Sequence, residues 1–166
     1  PRSSSAASDV YKRQYSYIDI LPNITNTITA HDVQVNSITA WDQSVIRKGI
    51  PYELGKFNVN FKKTGEYKIT LRRWPKESNL NLRDSIDDFI PAKKYWDQQY
   101  SGKSMNIASA FIKIGNKEYK VDLSDNLKTA SINIDISSGK TSLEPGFILD
   151  NGQTSIAFYT DIDFLY

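Results

Sequence analysis

The chain of 166 residues has no cysteine, one histidine (His31) and one methionine. Without cysteine there is no disulfide, no thiolate nucleophile and no Cys-ligated metal. Without a second histidine there is no His–His pair at ligand spacing. No apolar run approaches the roughly 20 residues that a membrane-spanning helix needs. An excess of charge of one sign is lacking too, with 21 basic against 19 acidic residues. Removing residues 1–14, which hold Arg2, Lys12 and Arg13 against Asp9, leaves 18 of each. The clustered basic surface that nucleic acid requires is therefore not expected, whatever the overall pI of 8.7 suggests. A hydrolase would need a nucleophile with its base, two positioned carboxylates or a metal cage, and none stands out as a motif.

What is present is a period of two. Phe57, Val59 and Phe61 alternate with Asn58 and Asn60, and Tyr67, Ile69 and Leu71 alternate with Lys68, Thr70 and Arg72. Further rows run through Ala110, Ile112 and Ile114, through Ile132, Ile134 and Ile136, and through Ile156, Phe158, Thr160, Ile162 and Phe164. Such alternation buries one set of side chains and leaves the other in water. Branched and aromatic residues, which suit a pleated surface, dominate the buried set. Turn chemistry separates the rows at Lys62-Lys63-Thr64-Gly65, Gly115-Asn116, Ser137-Ser138-Gly139-Lys140 and Asp150-Asn151-Gly152. The pattern predicts an all-β fold, an antiparallel β-sandwich or jelly-roll-like domain, with a β-barrel as the alternative. Helical periodicity is weak throughout; Ser85 to Phe89 can make at most a short turn. Pro75 to Asn106 reads as a long irregular loop of the kind that is functional or flexible.

Ser4 to Gln14 resembles the translation of a transposase-based sequencing adaptor, its last six residues, Asp9 to Gln14, being what GAT GTG TAT AAG AGA CAG encodes. Residues 1–14 are accordingly expected to lie outside the fold, and the native polypeptide to continue upstream of Tyr15 in a longer protein.

Arg72-Arg73-Trp74-Pro75 is the densest chemical feature. On an alternating strand the two arginines face opposite ways, and one can hold a carboxylate or sulfate bidentately. Trp74 can stack on a sugar or on a guanidinium. The competing reading is a structural stack that caps the sheet. Trp41 with Gln43 and Arg47, and Tyr95 with Trp96, invite the same two readings. His31-Asp32 can be a catalytic or substrate-contacting pair, although a lone loop histidine is more often a structural hydrogen-bonding group. The carboxylates Asp87, Asp88, Asp122, Asp125, Asp161 and Asp163 lie beside turns, where they usually act as solvated caps; a structural calcium would need several of their oxygens to converge.

Trp41-Asp42-Gln43-Ser44-Val45-Ile46-Arg47-Lys48-Gly49, then Gly55-Lys56-Phe57-Asn58-Val59, then Gly65 to Glu77 with its Leu71-Arg72-Arg73-Trp74-Pro75, form a series. It resembles the C-terminal region of bacterial arylsulfatases of the formylglycine-dependent, alkaline-phosphatase-like superfamily. There W-x-Q-x-x-I-R-x-G leads into G-x-W/F-x-V and then G-x-Y-x-(I/F)-x-L-R-R-W-P. Ala130 to Ile136, the Gly139 to Leu143 turn and Asp150 to Tyr159 are similar to that region too. Thr29-Ala30-His31-Asp32 resembles its junction with the sulfatase body. Departures are Pro145-Gly146-Phe147, where the family usually has an aromatic pair, and Ile156 to Thr160, where it often has G-A-Y-Y-V.

The resemblance implies three regions: residues 1–14 adaptor-derived, 15–40 the end of the catalytic body and its junction, and 41–166 a C-terminal β-sandwich. It implies a non-catalytic accessory domain of a secreted, periplasmic or extracellular enzyme that hydrolyses sulfate esters, with sulfated polysaccharide as the expected substrate. The partner would be the catalytic domain of the same chain, possible contact with a sulfated glycan being left to His31, Asp32, Arg47, Arg72, Arg73 and Trp74. The parent is expected to use calcium and a formylglycine formed within (C/S)-x-P-x-R. This chain has no cysteine and no S-x-P-x-R around its six prolines, so it should hold no cofactor and be inert alone. The alternative is a free-standing carbohydrate-binding sandwich with Trp41, Trp74 or Trp96 as platforms; a purely structural or adhesion-like domain would share the same fold.

Overall fold

The alternating rows become strands in the computed structural model, which describes residues 16–33, 43–86, 102–124 and 126–166. Two short strands come first, β1 (Ile18–Ile20) and β2 (Asn26–Thr29), followed by a single-turn 3-10 helix, Ala30–Asp32. A five-residue helix, α1 (Gln43–Arg47), precedes β3 (Phe57–Phe61) and β4 (Gly65–Arg72). The remaining strands are β5 (Ile107–Ile114), β6 (Lys117–Asp122), β7 (Ala130–Ile136), β8 (Gly139–Leu149), β9 (Thr154–Ile156) and β10 (Tyr159–Phe164). One sheet has the order β1-β3-β8-β5-β6, with β9 also on β8; the other has the order β2-β10-β4-β7. The all-β sandwich expected from the alternation is thus present as two open sheets that fit a jelly-roll-like fold. All pairings are antiparallel except β1 with β3, which is parallel.

The core lies between the sheets because each strand turns its apolar row inward. Phe57, Val59, Phe61, Ile112, Leu143 and Phe147 from one sheet meet Ile28, Tyr67, Ile69, Leu71, Ile134 and Ile162 from the other, all buried. A fully buried side chain of this size contributes about 1.5–3 kcal/mol. Tyr67 keeps its polar end satisfied: its hydroxyl donates to the Lys63 carbonyl at 2.6 Å, while its ring stands edge-on to Phe61 and Phe164.

Pro145 falls in the middle of β8, where a residue without an N–H would normally break a ladder. Its carbonyl accepts from the Ala157 N–H at 3.1 Å, so its nitrogen faces the same side of the strand. On that side β3 ends opposite Leu143 and β9 starts opposite Gly146, so the proline lies at the gap between them.

The strands that precede the boundary placed after residue 40 join the same two sheets: β1 pairs with β3 and β2 with β10, and Ile20 and Ile28 are in the common core. Three features depart from the sequence reading. The last apolar row is split, with Ile156 on β9 and Thr160 and Ile162 on β10 in the opposite sheet. The crossing at Ala157-Phe158 is anchored to both sheets, because the Phe158 carbonyl accepts from the Ala30 N–H at 2.9 Å. Finally, α1 forms where no helix was expected; it buries Ile46 and ends before Gly49, whose φ of 64° few other residues adopt. Of the turn expected over Ser85 to Phe89, Ile86 instead bridges to Gly102, and residues 87–89 lie outside the described residues.

Gly146 faces Phe111 across the β5–β8 pair, on the outer side of the sheet. A Cβ there would stand 2.6 Å from the Phe111 Cε1 and 3.0 Å from the Leu54 Cδ2, so the glycine makes room for the ring. Gly146→Ala should cost about 1–3 kcal/mol in urea unfolding, the usual range for overpacking. Most of that cost should vanish in a Phe111→Ala background; an equal cost in both backgrounds would rule out the steric cause.

Candidate functional site

The six residues singled out in the sequence gather at one end of the sandwich. Tyr159 pairs with Thr29 on one side and Arg72 on the other, so β2, β10 and β4 share a terminal row. His31 and Asp32 follow β2 just beyond that row, and Arg73 and Trp74 follow β4. Arg47 closes α1 at the same end, tied in through a hydrogen bond from the Lys103 N–H to its carbonyl at 2.7 Å.

Alternation along β4 puts Arg72 on the outer face and turns Arg73 inward. Arg73 is 0% exposed. Its Nη1 donates to the Asp84 carbonyl at 3.1 Å, and its Nη2 donates to the Ile46 carbonyl at 3.0 Å and to the Lys103 carbonyl. The guanidinium carbon lies 4.2 Å from the centre of the Trp74 ring, which is itself 3% exposed. The cation therefore sits on an aromatic face inside a cage of main-chain oxygens from three separate segments. Burial pulls the Arg73 pKa down to about 10, the nearby Asp84 charge opposing that shift, so the group is still a cation at neutral pH. The cage is not perfect: Arg73 Nε, Arg72 Nε and Trp74 Nε1 are buried without a hydrogen-bond partner.

Arg72 is also committed to its own chain. Its Nη2 donates to both carboxylate oxygens of Asp161, at 2.8 and 2.7 Å, and its guanidinium lies 5.6 Å from the Tyr159 ring centre. Asp161 accepts a further hydrogen bond from the Thr27 hydroxyl at 2.8 Å. The sequence reading of one arginine as a carboxylate clamp thus has a partner within the fold, with Asp161 in the place of an external anion. Asp32 acts as a cap, its Oδ2 accepting from the Thr29 N–H at 3.2 Å and from the Thr29 hydroxyl at 3.1 Å. His31 is exposed at the rim and Arg47 is half-buried, with interactions of its own.

Arg73 and Trp74, offered as substrate contacts on the sequence, thus face inward; their guanidinium and ring surfaces are closed by the fold, as in the competing structural reading. Trp41, Asp42, Tyr95 and Trp96 lie outside the described residues, as do Asp87, Asp88 and Asp125. The sequence reading missed the acceptors of Arg73. They are carbonyls of Ile46, Asp84 and Lys103, and no side-chain pattern marks a main-chain acceptor. Among the described residues no three His, Cys, Asp or Glu side chains are grouped to hold a metal ion. The described residues therefore do not fit the calcium expected of the parent enzyme. Without a cysteine the chain does not supply a Cys-derived formylglycine either. Among the described residues no helix is long and apolar enough to cross a membrane.

No protein-family model matches the chain, and no curated protein matches it. Among solved structures, the crystal structure of a ruminal GH26 endo-beta-1,4-mannanase is similar with a TM-score of 0.47 at 15% identity. The likeness covers 91% of this chain and 27% of that one, so the chain spans about a quarter of that protein's length.

Loss of a buried multidentate donor strands its acceptors, each at about 1–3 kcal/mol. Arg73→Lys keeps the charge but not the fork that reaches three directions. It should lower stability by about 2 kcal/mol or more, read from thermal or urea unfolding. A variant as stable as the parent would show that the carbonyl cage contributes nothing.

Proposed function

We propose that the chain is a non-catalytic C-terminal β-sandwich domain of a formylglycine-dependent sulfatase. The parent would act on sulfate esters of a polysaccharide, in the periplasm or outside the cell. The observation that carries this reading is the hydrogen bond from Arg73 to the Ile46 carbonyl. Arg73 belongs to the L-R-R-W-P segment and Ile46 to the W-x-Q-x-x-I-R segment, the two stretches in which the resemblance is densest. Their joint role in one buried cage gives a physical reason for them to occur together.

In this reading the Arg73 end stiffens the surface that meets the catalytic body. The side chains it leaves accessible are His31, Asp32 and part of Arg47, and these would border the substrate cleft. Arg72, Arg73 and Trp74 would act only by holding that surface in shape. The carbohydrate-binding alternative loses Trp74 as a platform, because its ring is buried against Arg73.

Extending the reading frame upstream should reveal (C/S)-x-P-x-R within the preceding few hundred residues; a natural start codon just before Tyr15 would sink the assignment. In the intact enzyme, His31→Ala should raise KM for a sulfated polysaccharide and leave the melting temperature alone. Trp74→Ala should do the reverse, costing about 3–5 kcal/mol of stability as a buried aromatic truncation. An unchanged melting temperature for Trp74→Ala would contradict its placement.

A further inference from the structure

One turn of the sandwich carries a dipeptide that is chemically unstable. Asn151-Gly152, between β8 and β9, is the one Asn-Gly pair in the chain. An asparagine side-chain amide lies within reach of the next residue's main-chain nitrogen, and closure of a five-membered ring between them is an intramolecular reaction that needs no enzyme. Most following residues hinder the approach with their Cβ, and glycine has none. Residues 150–154 are all exposed, so water reaches the site freely. Asn116, in the β5–β6 turn, is followed by Lys117 and is hindered where Asn151 is not.

The fold guards this amide without burying it. The Gly152 N–H donates to the Leu149 carbonyl at 2.8 Å, which engages the proton that must leave before the nitrogen can attack. The Asn151 side chain is clamped to Gln153: its Nδ2 donates to the Gln153 Oε1 at 2.7 Å, and its Oδ1 accepts from the Gln153 N–H at 3.0 Å. The Leu149 N–H closes the turn on the Gln153 carbonyl at 2.8 Å. These bonds are local and sit at an exposed turn, and such turns open at far lower free energy than central strands. Beyond the turn, β9 has only three residues, paired with β8 from Thr154 opposite Ile148 to Ile156 opposite Gly146. In its turn β9 holds the segment before β3. The Tyr52 N–H donates to the Ser155 Oγ at 3.1 Å, and the Ile156 N–H donates to the Tyr52 carbonyl at 3.2 Å.

We propose that Asn151 is a site of spontaneous deamidation, gated by opening of the β8–β9 turn. Once the turn opens, the Gly152 nitrogen gives its proton to solvent hydroxide and attacks the Asn151 Cγ. The N–Cγ bond forms, the Cγ–Nδ2 bond breaks, and the leaving nitrogen takes a proton from water and departs as ammonia. A cyclic imide is left. Water then opens the ring at either carbonyl. Attack at Cγ gives aspartate; attack at the main-chain carbonyl carbon gives isoaspartate, with the chain rerouted through Cβ and Cγ. Overall a water is consumed, an ammonia is released, and nothing is oxidised or reduced. Either product lacks the Nδ2 donor and carries a carboxylate beside Asp150, so the clamp on Gln153 does not re-form. Isoaspartate also lengthens the main chain of the turn. The change loosens β9 and, through it, the hold on Tyr52. It stands whether or not the chain belongs to a sulfatase.

Incubation of the full chain at mildly alkaline pH in water enriched in heavy oxygen, then tryptic digestion in ordinary water and mass spectrometry, tests this. Cleavage after Lys140 gives the fragment 141–166, in which Asn151 is the only asparagine. That fragment should gain the mass of an exchange of amide for heavy hydroxyl, located at residue 151 and split into two chromatographic isomers. Asn116 should convert at least about tenfold more slowly. In guanidinium chloride, where no turn guards the amide, Asn151 should convert about tenfold faster or more. Gln153→Ala should speed the reaction in the folded chain and leave the denatured rate unchanged, and Gly152→Ala should suppress it in both. In the converted chain the Ile156 amide should lose protection from hydrogen exchange while Ile112 keeps its own. Conversion of Asn151 in the folded chain no faster than that of Asn116 overturns the inference. Equal rates in the folded and denatured chain overturn it as well, as does Gln153→Ala without effect in the folded chain. Full protection of Ile156 after conversion contradicts the loosening of β9.

Discussion

A single buried cation organises one end of this protein. Arg73 follows the last residue of β4, turns into the interior and meets carbonyls from α1, from the segment after β4 and from the segment before β5. None of these three pieces has enough regular structure to hold itself. A five-residue helix is far below the length at which helices are stable in water. The irregular segments carry carbonyls that would otherwise be buried without donors, at a cost comparable to a lost hydrogen bond each. The desolvation of the guanidinium is severe, as its lowered proton affinity reflects. It is offset by three hydrogen bonds to main-chain oxygens, by the Trp74 face and by the nearby Asp84 charge. Exchange of the arginine for a neutral side chain without donors removes all of these at once, and lysine keeps only the charge.

The two arginines show how one step along a strand changes a role. Arg72 and Arg73 are neighbours with the same side chain, and the pleat sends them to opposite faces. Arg72 finds Asp161 diagonally across β10 and closes an outer-face polar row with Thr27. Arg73 finds only main chain. Both are spent inside the fold, so the surface of this end is left to His31, Asp32 and part of Arg47. The turn end is built the other way round: the inner-face row of β8 runs out in Thr141 and Gly139, and a gap is left between the sheets. The sandwich thus has a sealed end and an unsealed one.

Much of the fold was legible because the alternation is strict. Tyr67, Ile69 and Leu71, or Ala110 and Ile112, declare both a strand and its buried face. The Gly115-Asn116 and Asn151-Gly152 turns were visible for the same kind of local reason. Where the fold was hidden, the cause was non-local. Ile156 to Phe164 keeps one beat across a sheet change, since nothing in period two records which sheet a strand joins. The strands β1 and β2 are too short for a pattern, and their pairing with β3 and β10 is a long-range event. For the site, the sequence located the right residues at Arg72 to Trp74 but left two readings open. Burial decides between them, and burial depends on segments 27 residues before and 30 residues after Arg73. The gap at the turn end was invisible for a related reason: Gly139 and Thr141 look like ordinary turn residues until the inner-face row they interrupt is known.

The central claim is that Arg73 holds α1, the segment up to Ile86 and the segment from Gly102 to Met105 as one unit attached to an independently stable sandwich. Amide hydrogen exchange on an Arg73→Met variant measures this most directly, because local opening is read segment by segment. The account predicts lost protection at Leu82, Ile86, Gly102, Lys103 and Met105, whose amides donate to carbonyls in or beside that unit, while Tyr67, Ile69, Ile112 and Phe147 in the central strands stay protected. Protection unchanged from the parent at those five amides, or lost evenly over the whole chain, would contradict it.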